Sequence, residues 1–417
     1  MLTWSIFLRG ASGHQVTSET PNANARNRSK ASHPPVRPAL SKRLLRALPV
    51  LVLLLILTWV FARTGVLHKL ETSVTDAEMR LNPPPADSPV AIVNITDDDY
   101  QALFDGTSPL DPAQLQKLLA DIAKGEPAVI GVDIDTSAPK FSTQFKLADW
   151  GPRIVWEREV RQVPEDATSH GDLEPLDILG GQKNIDPARN SAGLPLLIDD
   201  ADDKVTRRYR RLIATNVGQL PSFPWAITKA YLHDKPAERA KLEESSEDLL
   251  IHYSGDRSGS HRLHFSAAKV EELCQYWPSA SPIRGRIVLL GGSYLGQDRH
   301  DTPIGRITGL EVVANVIETE LAGGGYKSPG RGVLFMLELF EAFGLILLFH
   351  IFRLRQALVW SIVFVPMIAA LCSKLAYGNI HHFLQFALIL LGLLVFELYE
   401  HFRRTTVPQI YHDIAST

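Results

Sequence analysis

The chain has 417 residues, 45% of them hydrophobic, a formal net charge of −3 and two cysteines. That length allows about two or three domains, and the apolar content excludes wholesale disorder. Two cysteines exclude a disulfide scaffold, a zinc ribbon and a cysteine-rich cluster site.

Taken in order, the chain is blocked in charge and hydropathy. Residues 1–46 carry eight Lys/Arg against one acid, Glu19, a local charge of +7. Residues 1–43 read as a basic, disordered tail. Residues 47–62 (ALPVLVLLLILTWVFA) hold no charge, and 44–62 reads as a first transmembrane helix, with Arg46 snorkelling and Trp59 near one end. A cleavable signal peptide would look similar, since Val60-Phe61-Ala62 is a loose small-x-small site. The 46 residues before the apolar run are long for one, so an uncleaved anchor is expected.

Residues 63–330 read as a folded domain. The expected elements are a buried strand at 90–95 (VAIVNI), then a helix from Asp111-Pro112 to Ala123, with Asp as N-cap and Pro in the first turn. A strand follows at 128–134 (AVIGVDI). Strand, helix, strand at this spacing is a βαβ unit with parallel strands. Further strands are expected at 153–156, 194–198, 207–213 and 249–253, with a helix at 223–232 and a polar loop over 162–182. A strong strand at 286–290 ends in Gly291-Gly292-Ser293, and 309–321 (GLEVVANVIETEL) has apolar residues at helical spacing. The alternation predicts an α/β fold: a mainly parallel central sheet with flanking helices.

Three apolar blocks follow at 332–352, 357–376 and 382–400, each about the length of a membrane-crossing helix. The positive-inside rule orients all four spans without exception. The tail at 1–43, Arg353 and Arg355, and Arg403 and Arg404 in the tail 401–417 fall on the cytoplasmic side. The stretch 47–330, with a net charge of −11, falls outside. An acidic domain is a poor polyanion binder, so no nucleic-acid partner is expected.

The stretch 283–321 resembles the signature of the second CHASE family, an extracytoplasmic sensory domain of bacterial receptors. The resemblance lies in Arg284, Gly285, Arg286, Gly291, Asp301, Thr302, Pro303, Gly309, Glu311, Ala314 and Asn315. Earlier residues add to it: Asp76 and Arg80 in an Asp-x-x-x-Arg motif, the strands at 90–98 and 129–134, the turn at 199–208, and Ser222-Phe223. Asp203 stands where glycine is usual, and Asp135-Thr136-Ser137 replaces the usual aromatic and acids. The resemblance implies a sensor in the bacterial inner membrane, followed by three helices, and a possible homodimer. Members commonly continue into a kinase or cyclase. Only 17 residues follow Glu400, so a separate output protein is the expected partner.

In a parallel sheet, ligands favour the carboxyl ends of strands. Asp97, Asp133, Ser293 and Asp301 are therefore the candidate ligand-binding residues, for a small polar solute, a cation or an envelope cue. The glycines at 291–292 would also let free amides approach an anion. Asp298, His300 and Asp301 are a weak match to a hydrolytic metal site, and no nucleophile-elbow, P-loop or HExxH pattern occurs. Neither a cofactor, a bound metal nor an enzyme is expected. Within the spans, Glu338 and Glu341 share a helix face, and Glu338 is expected to pair with Lys374 as an intramembrane coupling element. An anchored periplasmic enzyme and an envelope scaffold are the alternatives.

Overall fold

The computed structural model describes residues 87–325, with short gaps of which 163–172 is the longest. It also describes Ile56, parts of 72–80 and isolated positions between 336 and 360. The expected spans lie, but for those isolated positions, outside the described residues. So do both basic tails, Glu338, Glu341 and Lys374. Among the described residues, no helix is long and apolar enough to cross a membrane.

The strands in chain order are β1 (Val90–Ile95), β2 (Val129–Asp133), β3 (Arg153–Glu157), β4 (Val160–Gln162), β5 (Leu173–Pro175), β6 (Asn190–Gly193), β7 (Ile198–Asp199) and β8 (Thr206–Tyr209). They continue with β9 (Leu212–Thr215), β10 (Gly218–Pro221), β11 (Leu249–Leu250), β12 (Leu263–Ser266), β13 (Ile287–Gly292), β14 (Arg299–Thr302) and β15 (Gly305–Thr308). Six form the central sheet in the order β12-β1-β13-β2-β3-β6, and every neighbouring pair is parallel. The expected βαβ unit is present, but β13 lies between β1 and β2. A strand from nearly 160 residues downstream has entered the middle of the sheet.

Side chains alternate across this sheet, as a period of two requires. Ala91, Val93 and Ile95 enter one core, with Tyr100, Leu115, Leu118 and Val270 from the helices Asp97–Phe104, Pro112–Ala123 and Ala267–Leu273. Val90 and Ile92 enter the other, with Ile227, Leu310, Val313 and Ile317 from the helices Phe223–Tyr231 and Gly309–Leu321. Both faces are covered, which is why the central strands read as unbroken apolar runs. A third, smaller core lies outboard. It packs Met79, Tyr209, Leu249 and Tyr253 with Ile304 and Ile307 of the β14–β15 hairpin and with Val312 and Val316.

Helix boundaries follow cap chemistry. Asp111 accepts from Gln114 N, with Pro112 in the first turn. Thr308 and Glu311 form a reciprocal capping box at the start of Gly309–Leu321. The strand expected over 90–98 by resemblance stops at Ile95, and the acids at 97–99 form the first turn of a helix, where Thr96 and Asp99 make a second capping box. Other departures lie elsewhere in the chain. β6 (NSAG) and β12 (LHFS) are polar sheet edges that carry too few apolar residues to read as strands. β11 is shorter than the expected 249–253. Leu194 joins an isolated bridge to Ser222 rather than a strand. The polar stretch 162–182 buries Ile178 and Leu179.

Candidate functional site

The carboxyl ends of β1, β13, β2 and β3 lie side by side. Register sets Asp133 opposite Gly291 on one side, and the β2–β3 ladder runs up to Val132 opposite Trp156, which brings Glu157 beside Asp133. Asp133 has the parity of Val129, and Glu157 that of Val155, so both side chains face the Phe223 and Gly309 helices. A Cβ on Gly291 would lie 2.9 Å from Leu310 and 3.0 Å from Asp133. A Cβ on Gly193, opposite Glu157, would lie 2.6 Å from the Phe223 backbone. The pair therefore sits between the N-terminal ends of two helices, and the adjoining glycines admit it.

The two carboxyls hydrogen-bond to each other. Such a bond needs a shared proton, because ionised carboxylates only accept. Burial pushes Asp133 up to about 6, with Asp298 and Glu159 adding repulsion that the Glu157 bond and His300 partly offset. Burial and then Asp133 hold Glu157 well above the usual carboxylate range. Glu159, half-buried, is raised by desolvation and by Asp135. Helix N-termini favour anions, but here desolvation and like charge prevail. His300 lies 3.4 Å from Asp298, and its hydrogen bond to that residue raises it.

The four predicted residues divide. Asp133 and Ser293 face the same side of the sheet edge, where Asn94 Nδ2 donates to Ser293 Oγ at 2.7 Å. Asp97 is exposed and accepts from Leu295 N at 2.7 Å, a loop-fixing bond. Asp301 is exposed in the hairpin, opposite Arg306. The structure joins Asp133 instead to Glu157, Glu159, Asp298 and His300. Gly292 makes room for the Tyr294 ring, which would lie 2.2 Å from a Cβ, and Ser293 N already donates to Ile95 O. Four nearby carboxyls leave a ligand with positive charge or hydrogen-bond donors as the matching chemistry. Among the described residues, no group of three or more His, Cys, Asp or Glu is placed to hold a metal ion.

Several motif residues prove to be structural. Glu311 is a cap, and Asn315 accepts from Arg262, which also holds Glu318. Thr302 Oγ donates to Gly305 O at 2.5 Å across the hairpin turn. Arg207, its side chain 3% exposed, donates to Asp76, Asp200 and Asp203 at 2.7–3.0 Å. Arg80 Nε donates to the Pro303 carbonyl at 2.6 Å. The incoming segment is thus held at both ends of its Asp-x-x-x-Arg motif. Near the outgoing end of the domain, Glu320 accepts from Tyr209 Oη and Arg211, and Gly325 N donates to Tyr209 Oη.

A cavity of about 330 Å³ opens at the opposite, amino-terminal edge, lined by Glu126, Trp150, Arg153, Arg189 and Asp234 among others. Arg153 there is already paired with Asp234 at 3.0 Å. Room lies at one edge and displaced ionisation at the other; the second is the stronger mark of a responsive site.

The chain matches the family model of the CHASE2 domain over residues 50–363. No curated protein and no solved structure matches.

Proposed function

Because the chain belongs to the CHASE2 domain family, a family of extracytoplasmic sensory domains, we propose that it is a membrane-anchored sensor for a cue outside the cell. The proposal includes four membrane spans in the inner membrane, a periplasmic α/β domain and a separate protein that reads the signal. The cue acts at the acidic carboxyl edge of the sheet, on Asp133 and Glu157, with Ser293 and Asp298 beside them. The transmembrane charges Glu338, Glu341 and Lys374 pass the change inward.

The observation that carries this reading is the place of the Asp133–Glu157 pair. It lies against the start of the Gly309–Leu321 helix, whose far end leads towards the apolar blocks at 332–400. A small shift at one end of a rigid helix moves its other end.

A ligand that binds the folded state raises the melting temperature. The full chain in detergent is titrated with putrescine, arginine and Mg²⁺ as cationic probes. At least one is expected to raise Tm at millimolar concentration, with the rise lost in Asp133→Asn. A response to none of them, or one unchanged in the variant, contradicts the proposed site.

A further inference from the structure

The β14–β15 hairpin touches three things that a sensor has to connect. At its base, Asp298 accepts from Gly309 N at 3.0 Å and pairs with His300, and both act electrostatically on Asp133. At its turn, the Pro303 carbonyl holds Arg80. Ile304 and Ile307 pack in one core with Met79 of the incoming segment. Its second strand runs without a break into the Gly309 helix. Beside it, Asp76 makes two bonds to Arg207. The hairpin is bracketed by the buried carboxyl pair and by the segment that enters the domain.

The geometry points to a proton-operated latch: the hairpin Arg299–Thr308 grips the incoming segment while Asp133 carries a proton, and loosens that grip when Asp133 ionises. It rests on the sensor proposal for the direction of signalling, and adds acidity as the cue and the hairpin as the moving part.

The charged groups that face the pair set the sign. Glu159 and Asp135 act from the strand ends, and Asp298 and His300 from the hairpin. Asp199 acts on His300 from β7. Of the two helices, Phe223 and Leu310 approach without charge, and Glu311 is engaged by Thr308. Of these named charged groups, all but His300 are acidic. Ionising Asp133 therefore adds negative charge beside Asp298, and the same rise in pH removes the positive charge of His300. Both changes push Asp298, and the base of the hairpin with it, away from the sheet edge. Burial, which raises Asp133 to about 6, places this change between mildly acid and neutral conditions. The grip is made for release, since Arg207 keeps Asp200 and Asp203 when Asp76 leaves.

Electron-electron double resonance on the full chain in nanodiscs tests the latch. Nitroxides are placed at Ala77 and Ala268, and in a second sample at Arg306 and Ala268, with Cys274 and Cys372 changed to Ser. All three label positions are exposed. Raising the pH from 5 to 8 is expected to shift or broaden both distance distributions by several ångströms. Asp133→Asn is expected to shrink the pH-dependent shift in both samples, leaving only the part that His300 drives. Should that variant misfold, Glu157→Gln serves, and is expected to move the midpoint by at least one pH unit. Identical distributions at both pH values in the unsubstituted protein overturn the latch, as does an unaltered response in the folded variants. Neither result touches the sensor proposal, which stands or falls on the cationic probes.

Discussion

Asp133 and Glu157 hold the most informative chemistry in the domain, and their ionisation is linked to its stability. Both carboxyls are raised by burial, so the folded state binds protons more tightly than the unfolded chain. Stability from Asp133 is full below the unfolded carboxylate range, near pH 4, and is lost as pH rises through about 6, and Glu157, raised as well, contributes with the same sign. His300, also raised, adds in the same direction: its contribution is present below the ordinary imidazole value and is lost above its raised one. Discounted for the partial exposure of Asp133, the loss is on the order of 2 kcal/mol. Urea unfolding at pH 5 and pH 8 is expected to show the higher midpoint at pH 5, and Asp133→Asn is expected to flatten the difference. A midpoint that rises with pH and ignores the substitution would place the dominant titration elsewhere, with His252, lowered by burial, as the opposing group. Asp133 was legible as an acid at a strand's carboxyl end. Glu157 was not, because its tie to Asp133 depends on strand order, and no pattern in the RIVWE segment encodes its neighbour.

At the level of elements, local chemistry was readable and non-local pairing was not. Asp111-Pro112 announces its helix through backbone donors that need an acceptor, and 309–321 announces its own through the spacing of its apolar residues. The edge strands Asn190–Gly193 and Leu263–Ser266 belong to the sheet because of what lies beside them, and their polar residues hide it. The same holds for the buried ion pairs. Asp76 and Arg207 are 131 residues apart, and Arg211 and Glu320 are 109 apart. The Glu320 side chain is fully buried and that of Arg211 is 6% exposed. Removing one partner of such a pair strands the other's charge, at a cost of about 3–5 kcal/mol. Glu320→Ala is therefore expected to lower the unfolding free energy by that amount in chemical denaturation, whereas Lys117→Ala, which breaks an exposed pair with Glu271, is expected to change it by less than about 1 kcal/mol. Equal effects would mean that burial does not govern these pairs.

Over the whole molecule, charge and hydropathy are distributed as a topological instruction. Basic clusters flank the apolar blocks, and the acidic domain lies between the first block and the other three. The α/β class was legible because strand and helix periods alternate along 90–321, and family membership followed from motifs spread over the same stretch. The insertion of β13 between β1 and β2 was not, since a parallel ladder leaves no mark on the order of its strands. The account turns on where the domain lies, and cysteine labelling in intact cells measures that directly. In a background with Cys274 and Cys372 changed to Ser, a thiol is placed at Lys204 in the exposed Asp-rich turn, or at Arg403 in the C-terminal tail. With the outer membrane permeable to it, a maleimide that cannot cross the inner membrane is predicted to label position 204 at once and position 403 only after lysis. Labelling at 403 but not at 204 before lysis would put the domain in the cytoplasm and contradict the account.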